Sequence, residues 1–278
     1  MKNNYGLQLL PEDKQDFDIV GFYGFLPDLE ELPESFELPI LEIKNQGGTD
    51  FCSAYASCGM SELQEGVQLY SPYSFAASKE ISGGIEEWGQ DLRSALKAHQ
   101  KWGALALKDV PEGVKSLSDK ALRDFKVYSH ELREKAYKYR KKSYFLTKGQ
   151  YDAYDNIRAS IWKFREQKRG VEIGLIFAWP LAQYKLDTIS QNGFGHALYI
   201  TGWDSEGLIA VNSYGNAAGR AGKHRITREV IEAFVGRYGA YMMIDIDPED
   251  VKKQLQRKEW TLASIYGKIL IILRNLWK

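Results

Sequence analysis

The sequence predicts an α+β chain, helical in its first half and mostly β in its second. Two patterns carry that reading. From Cys52 to Val67, small and apolar residues (Ala54, Ala56, Met60, Leu63, Val67) recur at helical spacing. Beyond residue 143 the apolar residues instead gather in short runs bounded by turn residues. The composition, 44% hydrophobic and 27% charged over 278 residues, is that of a globular protein with one large domain or two moderate ones.

The elements follow in order. Residues 1–40 are acidic and hold Pro11, Pro27, Pro33 and Pro39, so they read as an extended arm with short strands. A buried helix starts near Cys52. Ser71-Pro72-Tyr73 opens another, with proline in the first turn. Asp91 to Trp102 is amphipathic and stops at Gly103. Ser118 to Phe125 is a short helix capped by Ser118 or Asp119. Ser143–Thr147 reads as a strand, and Asp155–Lys168 as a helix with Ile157, Ile161 and Phe164 facing inward. Strands follow at Val171–Ala178, Ala197–Trp203, Leu208–Val211 and Tyr241–Ile246.

Charge and cysteine content narrow the function classes. Lys plus Arg equals Asp plus Glu at 37 each, so no nucleic-acid partner is expected. Two cysteines exclude a disulfide framework and suit a reducing compartment. No apolar run follows Met1, so no signal peptide is visible, and a cytoplasmic or virus-associated location is the expectation. Residues 251–278 carry seven Lys/Arg against the single acid Glu259. The remainder is correspondingly acidic, and the two parts face different surroundings.

Three residues combine into a nucleophile. Cys52 stands where the predicted helix begins, a place that lowers a thiol pKa through the helix dipole and a neighbouring imidazolium. His196 follows Gly195 and precedes an apolar strand, and Gly193 and Gly195 leave the approach open. Asn212 ends a strand, 16 residues beyond the histidine, and can fix the imidazole tautomer, with Tyr214 shielding the bond. Gln46, six residues before Cys52, can donate to an oxyanion beside the Cys52 N–H. Plainer readings stand beside these: Cys52 as a small buried hydrophobe, His196 as a core or turn histidine, Asn212 as a turn residue. Cys58 is assigned to packing. Of the other histidines, His99 is read as solvated, His130 lies in a charged stretch, and His224 lies between Lys223 and Arg225. No cofactor and no metal are called for.

With these residues in hand the chain resembles the papain-like cysteine peptidases. His196 lies 144 residues beyond Cys52 and Asn212 lies 160 beyond it. Lys44-Asn45-Gln46-Gly47, Gly195-His196-Ala197 followed by Gly202-Trp203-Asp204, and Asn212-Ser213-Tyr214-Gly215 are similar to that family's motifs, and Leu32-Pro33-Glu34-Ser35-Phe36 resembles the start of a mature domain. Two positions depart: Thr49 stands where the family has a cysteine, and Ser53 where it has a tryptophan, so the usual disulfides cannot form. The resemblance covers roughly residues 30–246 and favours a bacterial- or phage-type member. It implies a two-lobed α+β fold, with a helical left lobe, a β-barrel-like right lobe and the active site in the cleft between. The division is then 1–32, an N-terminal arm or short pro-segment; 33–246, the peptidase domain, with the helical lobe about 45–128 and the β-rich lobe about 129–246; and 247–278, a basic amphipathic tail helix. The implied activity is hydrolysis of peptide or protein substrates through Cys52, His196, Asn212 and Gln46.

Two alternatives stay open: a catalytically inactive papain-like scaffold acting as a binding or structural protein anchored by its C-terminal helix, and a cysteine acyl-transferase. The tail from Trp260 to Trp277 has a broad apolar face but is interrupted by Lys268 and Arg274, too short and charged for a span. It could pack on its own protein, dock on a protein partner or lie on a membrane surface.

Overall fold

The structure, a computed structural model, describes residues 6–9, 13 and 16–245. The tail helix expected near 260–277 lies outside the described residues. In chain order the elements are α1 (Ile19–Tyr23), β1 (Phe36–Glu37), α2 (Cys52–Glu65), α3 (Ser71–Ser82), α4 (Leu92–Lys101), α5 (Glu112–Lys115), α6 (Asp119–Leu122) and α7 (His130–Tyr137). There follow β2 (Ser143–Leu146), α8 (Ala153–Lys163), β3 (Val171–Phe177), β4 (Lys185–Leu186), β5 (Phe194–Asp204), β6 (Gly207–Val211), β7 (Lys223–Ile226), α9 (Arg228–Tyr238) and β8 (Ala240–Ile244). Helices thus crowd the first half and strands the second.

The strands form one sheet in the order β2-β8-β3-β5-β6-β7-β4, and β1 pairs with the far end of β5. The pairings are antiparallel except β4 with β7. The ends of the sheet are β2 and β4, so it does not close into the barrel-like lobe the resemblance implied. β5 is the axis of the sheet. It pairs with β3 and β6, and a bulge between Ile200 and Gly202 turns its end toward β1.

Helix α2 lies on that axis. Its residues are small (Ala54, Ala56, Ser57, Gly59, Ser61) and buried on nearly every side, as a helix enclosed by protein must be. At Gly59 the approach is closest: a Cβ there would collide with Cε1 and Cζ of Tyr199 on β5. Gly66, left-handed at φ 67°, ends the helix with its N–H on the Glu62 carbonyl.

Several expectations need correction. The arm expected to be extended contains α1, whose Ile19 and Phe22 are buried and whose first turn is capped by the Asp18 carboxylate on the Gly21 N–H. Helices α7 and α9 and strand β7 add to the expected elements, with Val230, Ile231 and Phe234 of α9 buried at helical spacing. His99, expected to be solvated, is fully buried. Its neighbour Lys101 takes the outer face of α4, while His99 faces Cys58 at 4.0 Å and burial pushes its pKa down to about 3.

The α2–β5 approach gives a stability prediction. Gly59→Ala should cost about 1–3 kcal/mol of overpacking, measured as a lowered denaturant midpoint. Removing the opposing ring with Tyr199→Ala should make the further Gly59→Ala change nearly neutral.

Candidate active site

Strand β5 sets the histidine. His196 pairs with Leu175 of β3, so its ring lies on the sheet face that also carries Phe177. Phe177 and Phe194 meet the imidazole edge-on at 5.5 and 5.8 Å, and Tyr214 stacks on it at 5.0 Å, nearly parallel. Cys52, His196 and Asn212 are each only 1% exposed.

A chain of hydrogen bonds fixes the imidazole. His196 Nε2 and Asn212 Oδ1 are 3.0 Å apart, Asn212 Nδ2 and His224 Nε2 are 2.8 Å apart, and His224 Nδ1 lies 2.7 Å from the Gln183 carbonyl. The order of donors follows from the end of the chain. A carbonyl only accepts, so His224 Nδ1 donates and its Nε2 accepts from Asn212 Nδ2. Asn212 Oδ1 then faces His196 Nε2, which donates. His196 Nδ1 is left as the lone-pair nitrogen of its ring.

The cysteine comes from the other half of the chain. Cys52 is the first residue of α2, and its sulfur faces the backbone N–H groups of Ser53 and of Ala197, the residue after His196. Loop 44–46 is tied to loop 213–215 by Gln46 N–H to Ser213 carbonyl at 2.7 Å and Gly215 N–H to Lys44 carbonyl at 2.9 Å. The Ser213 hydroxyl donates to Gln46 Oε1, and Gln46 Nε2 donates to the Thr49 carbonyl at 2.6 Å. Gln46, Cys52, Trp88, His196 and Tyr214 line one cleft of about 400 Å³. Asn212 is not part of that lining and reaches the site through its hydrogen bond with His196.

Residues 6–9 lie across this cleft. Gln90 N–H donates to the Gly6 carbonyl at 2.8 Å, Gln8 N–H to the Gln90 carbonyl at 3.1 Å, and Leu7 N–H to the Gly195 carbonyl at 3.0 Å. The open side that Gly195 provides is taken by the Leu7 carbonyl. Gly6 passes so close over the thiol that a Cβ there would stand 2.9 Å from Cys52 Sγ. Burial pushes the Cys52 thiol up to about 12, and burial pulls His196 down to about 4 despite its bond to Asn212. The lowering expected from the helix N-terminus is therefore outweighed. With the arm seated, the pair is a neutral thiol and a neutral imidazole at pH 7.

Sequence reasoning missed three parts of this site. His224 gave no local signal between two cations, although its alternation along β7 (partly buried, buried, partly buried, buried) is that of a half-buried strand. The Gly6–Leu7 contact depends on tertiary placement alone. The third is a brace behind the cleft wall. The Asp50 carboxylate accepts from the Gly89 N–H and pairs with Arg123, while Lys79 donates to the Glu87 carbonyl at 2.8 Å and to that of Gly89. Together they hold the loop that presents Trp88 and Gln90.

The burial shifts predict a pH profile. Alkylation needs thiolate, and a pKa raised from 9.0 to about 12 leaves roughly a thousandfold less of it at pH 7. Iodoacetamide should label the native chain slowly at pH 7, with the rate climbing toward pH 12. Gly6→Val, which forces the arm off the sulfur, should label rapidly at neutral pH. Intact-mass spectrometry reads both.

No family model matches the sequence, and a search of curated proteins gives no match. Solved structures do match. Xylellain, a cysteine protease from Xylella fastidiosa, aligns over 88% of this chain and 97% of its own, with TM-score 0.68 and 16% identity. A digestive procathepsin L 3 of Tenebrio molitor larval midgut aligns over 87% and 76%, with TM-score 0.60 and 17% identity. A procathepsin B from Trypanosoma congolense aligns over 87% and 83%, with TM-score 0.56 and 14% identity. At these identities the likeness is one of architecture: the chain has the fold of the papain-like cysteine proteases.

Proposed function

We propose that this chain is a papain-like cysteine peptidase, held closed by its own residues 6–9. The carrying observation is that Cys52 and His196 line one cleft, with the imidazole oriented through Asn212 so that Nδ1 is its accepting nitrogen. The fold it shares with named cysteine proteases supports the same reading.

In the proposed cycle the arm leaves and water enters. The Cys52 thiol gives its proton to His196 Nδ1, and the sulfur attacks the scissile carbonyl carbon. Negative charge on the carbonyl oxygen is met by the Cys52 backbone N–H and by Gln46 Nε2, whose second hydrogen is not the one given to Thr49. The imidazolium then protonates the amine nitrogen, the C–N bond breaks and a thioester remains. His196 deprotonates a water, which attacks the thioester, and the C–S bond breaks to restore the thiol. Asn212 keeps the ring in one tautomer throughout, and His224 keeps Asn212 from flipping.

Hydrolysis of a mixed fluorogenic peptide set by the Gly6→Val chain tests the assignment. Cys52→Ala in that background should abolish both turnover and alkylation. Turnover that survives Cys52→Ala sinks the reading, and so does a Gly6→Val chain that alkylates readily yet cleaves no peptide. The second result would favour the inactive scaffold. Thioester capture by added amines, with no hydrolysis, would favour an acyl-transferase.

His224 acts as a positioning residue in this scheme. His224→Phe keeps the volume but strands Asn212 Nδ2, a loss of about 1–3 kcal/mol. That should lower kcat by roughly 10- to 100-fold with KM little changed. His224→Gln, which can still accept, should recover part of the loss. A purely structural role would lower thermal stability in both variants without separating their kcat values.

A further inference from the structure

Glu172 is a buried acid that the proposed chemistry does not use. It lies on β3 with 0% exposure, and neither carboxyl oxygen has a hydrogen-bond partner among the described residues. Other buried acids are provided for. Asp50 meets Arg123 and the Gly89 N–H, Glu62 meets Lys44, Asp91 accepts from the Ser94 N–H, and Asp155 meets Arg158 and Arg228. Burial, with the Asp91 carboxylate nearby, pushes the Glu172 carboxyl well above its ordinary range. Arg93, the cation two residues from Asp91, is engaged by Asp16.

Its place in the sheet gives it a neighbour. Side chains alternate across a strand, so Glu172 and Gly174 share one face of β3, opposite Tyr199 and Ala197 of β5. That face lies under the arm. Leu7 Cδ2 comes 2.5 Å from where a Gly174 Cβ would stand, and Tyr238 lies against the same glycine. The Glu172 carboxyl also bears on the ionisation of Cys52. The Leu7 side chain therefore takes the space that a glycine leaves open, and the next residue on that face is an acid without a partner among the described residues.

We infer that this pocket receives a substrate side chain and that Glu172 at its base selects arginine or lysine. The inference rests on the peptidase reading. Two residues along a strand are roughly 7 Å, beyond a leucine seated over Gly174 but within reach of a guanidinium or an ammonium. A basic side chain there gives the carboxylate its missing partner, and a guanidinium can meet both oxygens at once. Leucine fills the upper pocket and leaves the acid unmet, which suits a segment that must depart.

The arm itself is the probe, in the full chain. Amide exchange at Leu7 and Gln8 reports how firmly the arm sits, without needing a reactive thiol. Leu7→Arg should slow that exchange at least tenfold. Glu172→Gln should remove the gain in the Leu7→Arg chain while changing exchange less than threefold in the otherwise native chain. Leu7→Met, long but neutral, should give no gain. In trans, peptides carrying arginine or lysine within two residues of the scissile bond should be cleaved at least tenfold faster than leucine counterparts by the Gly6→Val chain, and Glu172→Gln should erase that preference. Exchange in Leu7→Arg as fast as in the native chain overturns the inference, as does protection that survives Glu172→Gln. If protection behaves as expected but no variant cleaves any peptide, the basic pocket stands and the peptidase reading falls. If leucine peptides are cleaved best and Leu7→Arg gains nothing, the peptidase reading stands and the pocket falls.

Discussion

The close seating of α2 on β5 is the constraint from which the site follows. Gly59 lets the helix axis reach the Tyr199 ring, and that distance sets where the first turn of α2 ends up. The turn meets β5 at Ala197, so a residue at position 52 necessarily faces the strand beside position 196. The β3–β5 register then decides which face His196 takes. It turns the imidazole toward Phe177 and the Asn212–His224 chain, while Ala197 and Gly195 form the floor beneath the arm. A one-residue slip in that register would put the histidine among Tyr199 and Glu172 instead. Helix approach and strand register are thus separate requirements, and a juxtaposed thiol and imidazole need both.

Burial does the electrostatic work in the closed form. A helix N-terminus and a nearby imidazole favour a thiolate, but only if solvent or an opposite charge stabilises it. Gly6 and Leu7 exclude water from the sulfur and bring no charge of their own, so the neutral forms win on both sides. Anchoring lies farther along the arm, where Asp16 pairs with Arg93 and accepts from the Tyr144 hydroxyl at 3.0 Å, and Asp13 reaches Lys97 at 3.2 Å. The segment over the nucleophile is held by three backbone hydrogen bonds, by the Gln8 side-chain amide donating to the Trp88 carbonyl at 2.8 Å, and by one leucine side chain. In the proposed cycle it is this uncharged pairing over the thiol that gives way, with the charged anchors at Asp13 and Asp16 set apart from it.

Much of the fold was legible because its signals are local. The α2 span showed in its small-residue periodicity, α3 in its first-turn proline, α4 in its amphipathic spacing and the stop at Gly103, and β3 and β5 in their apolar runs. Gln46, Cys52, His196 and Asn212 were read as a set through motif and order, and the structure places the first three on one cleft with Asn212 hydrogen-bonded to His196. What escaped depends on partners distant in sequence. His99 reads as solvated beside Lys97 and Lys101, yet it is enclosed against Cys58. His224 shows in the sequence only as a residue between two cations, and strand alternation turns it inward to Asn212 while Lys223 and Arg225 turn out toward Glu37 and Asp204. The open sheet escaped as well, because strand content does not reveal closure.

The buried acids sort by whether the fold itself supplies their partner. An unpaired carboxyl in a dry interior is a standing cost that packing alone would remove, since a glutamine or an apolar residue of similar size would fill the space more cheaply. Asp50 is retained with an evident use: it ties the Gly89 loop and Arg123 to the turn before the nucleophile. Glu62 likewise joins Lys44 and the Leu69 N–H, linking loop 44–46 to the end of α2. Glu172 links nothing among the described residues. The residue two positions along the same strand face, Gly174, is covered by Leu7, whose side chain carries no group that could pair with an acid. The partner it lacks is therefore most economically placed in the space that Leu7 vacates, on the same face as Gly174 and within reach of the thiol it already influences.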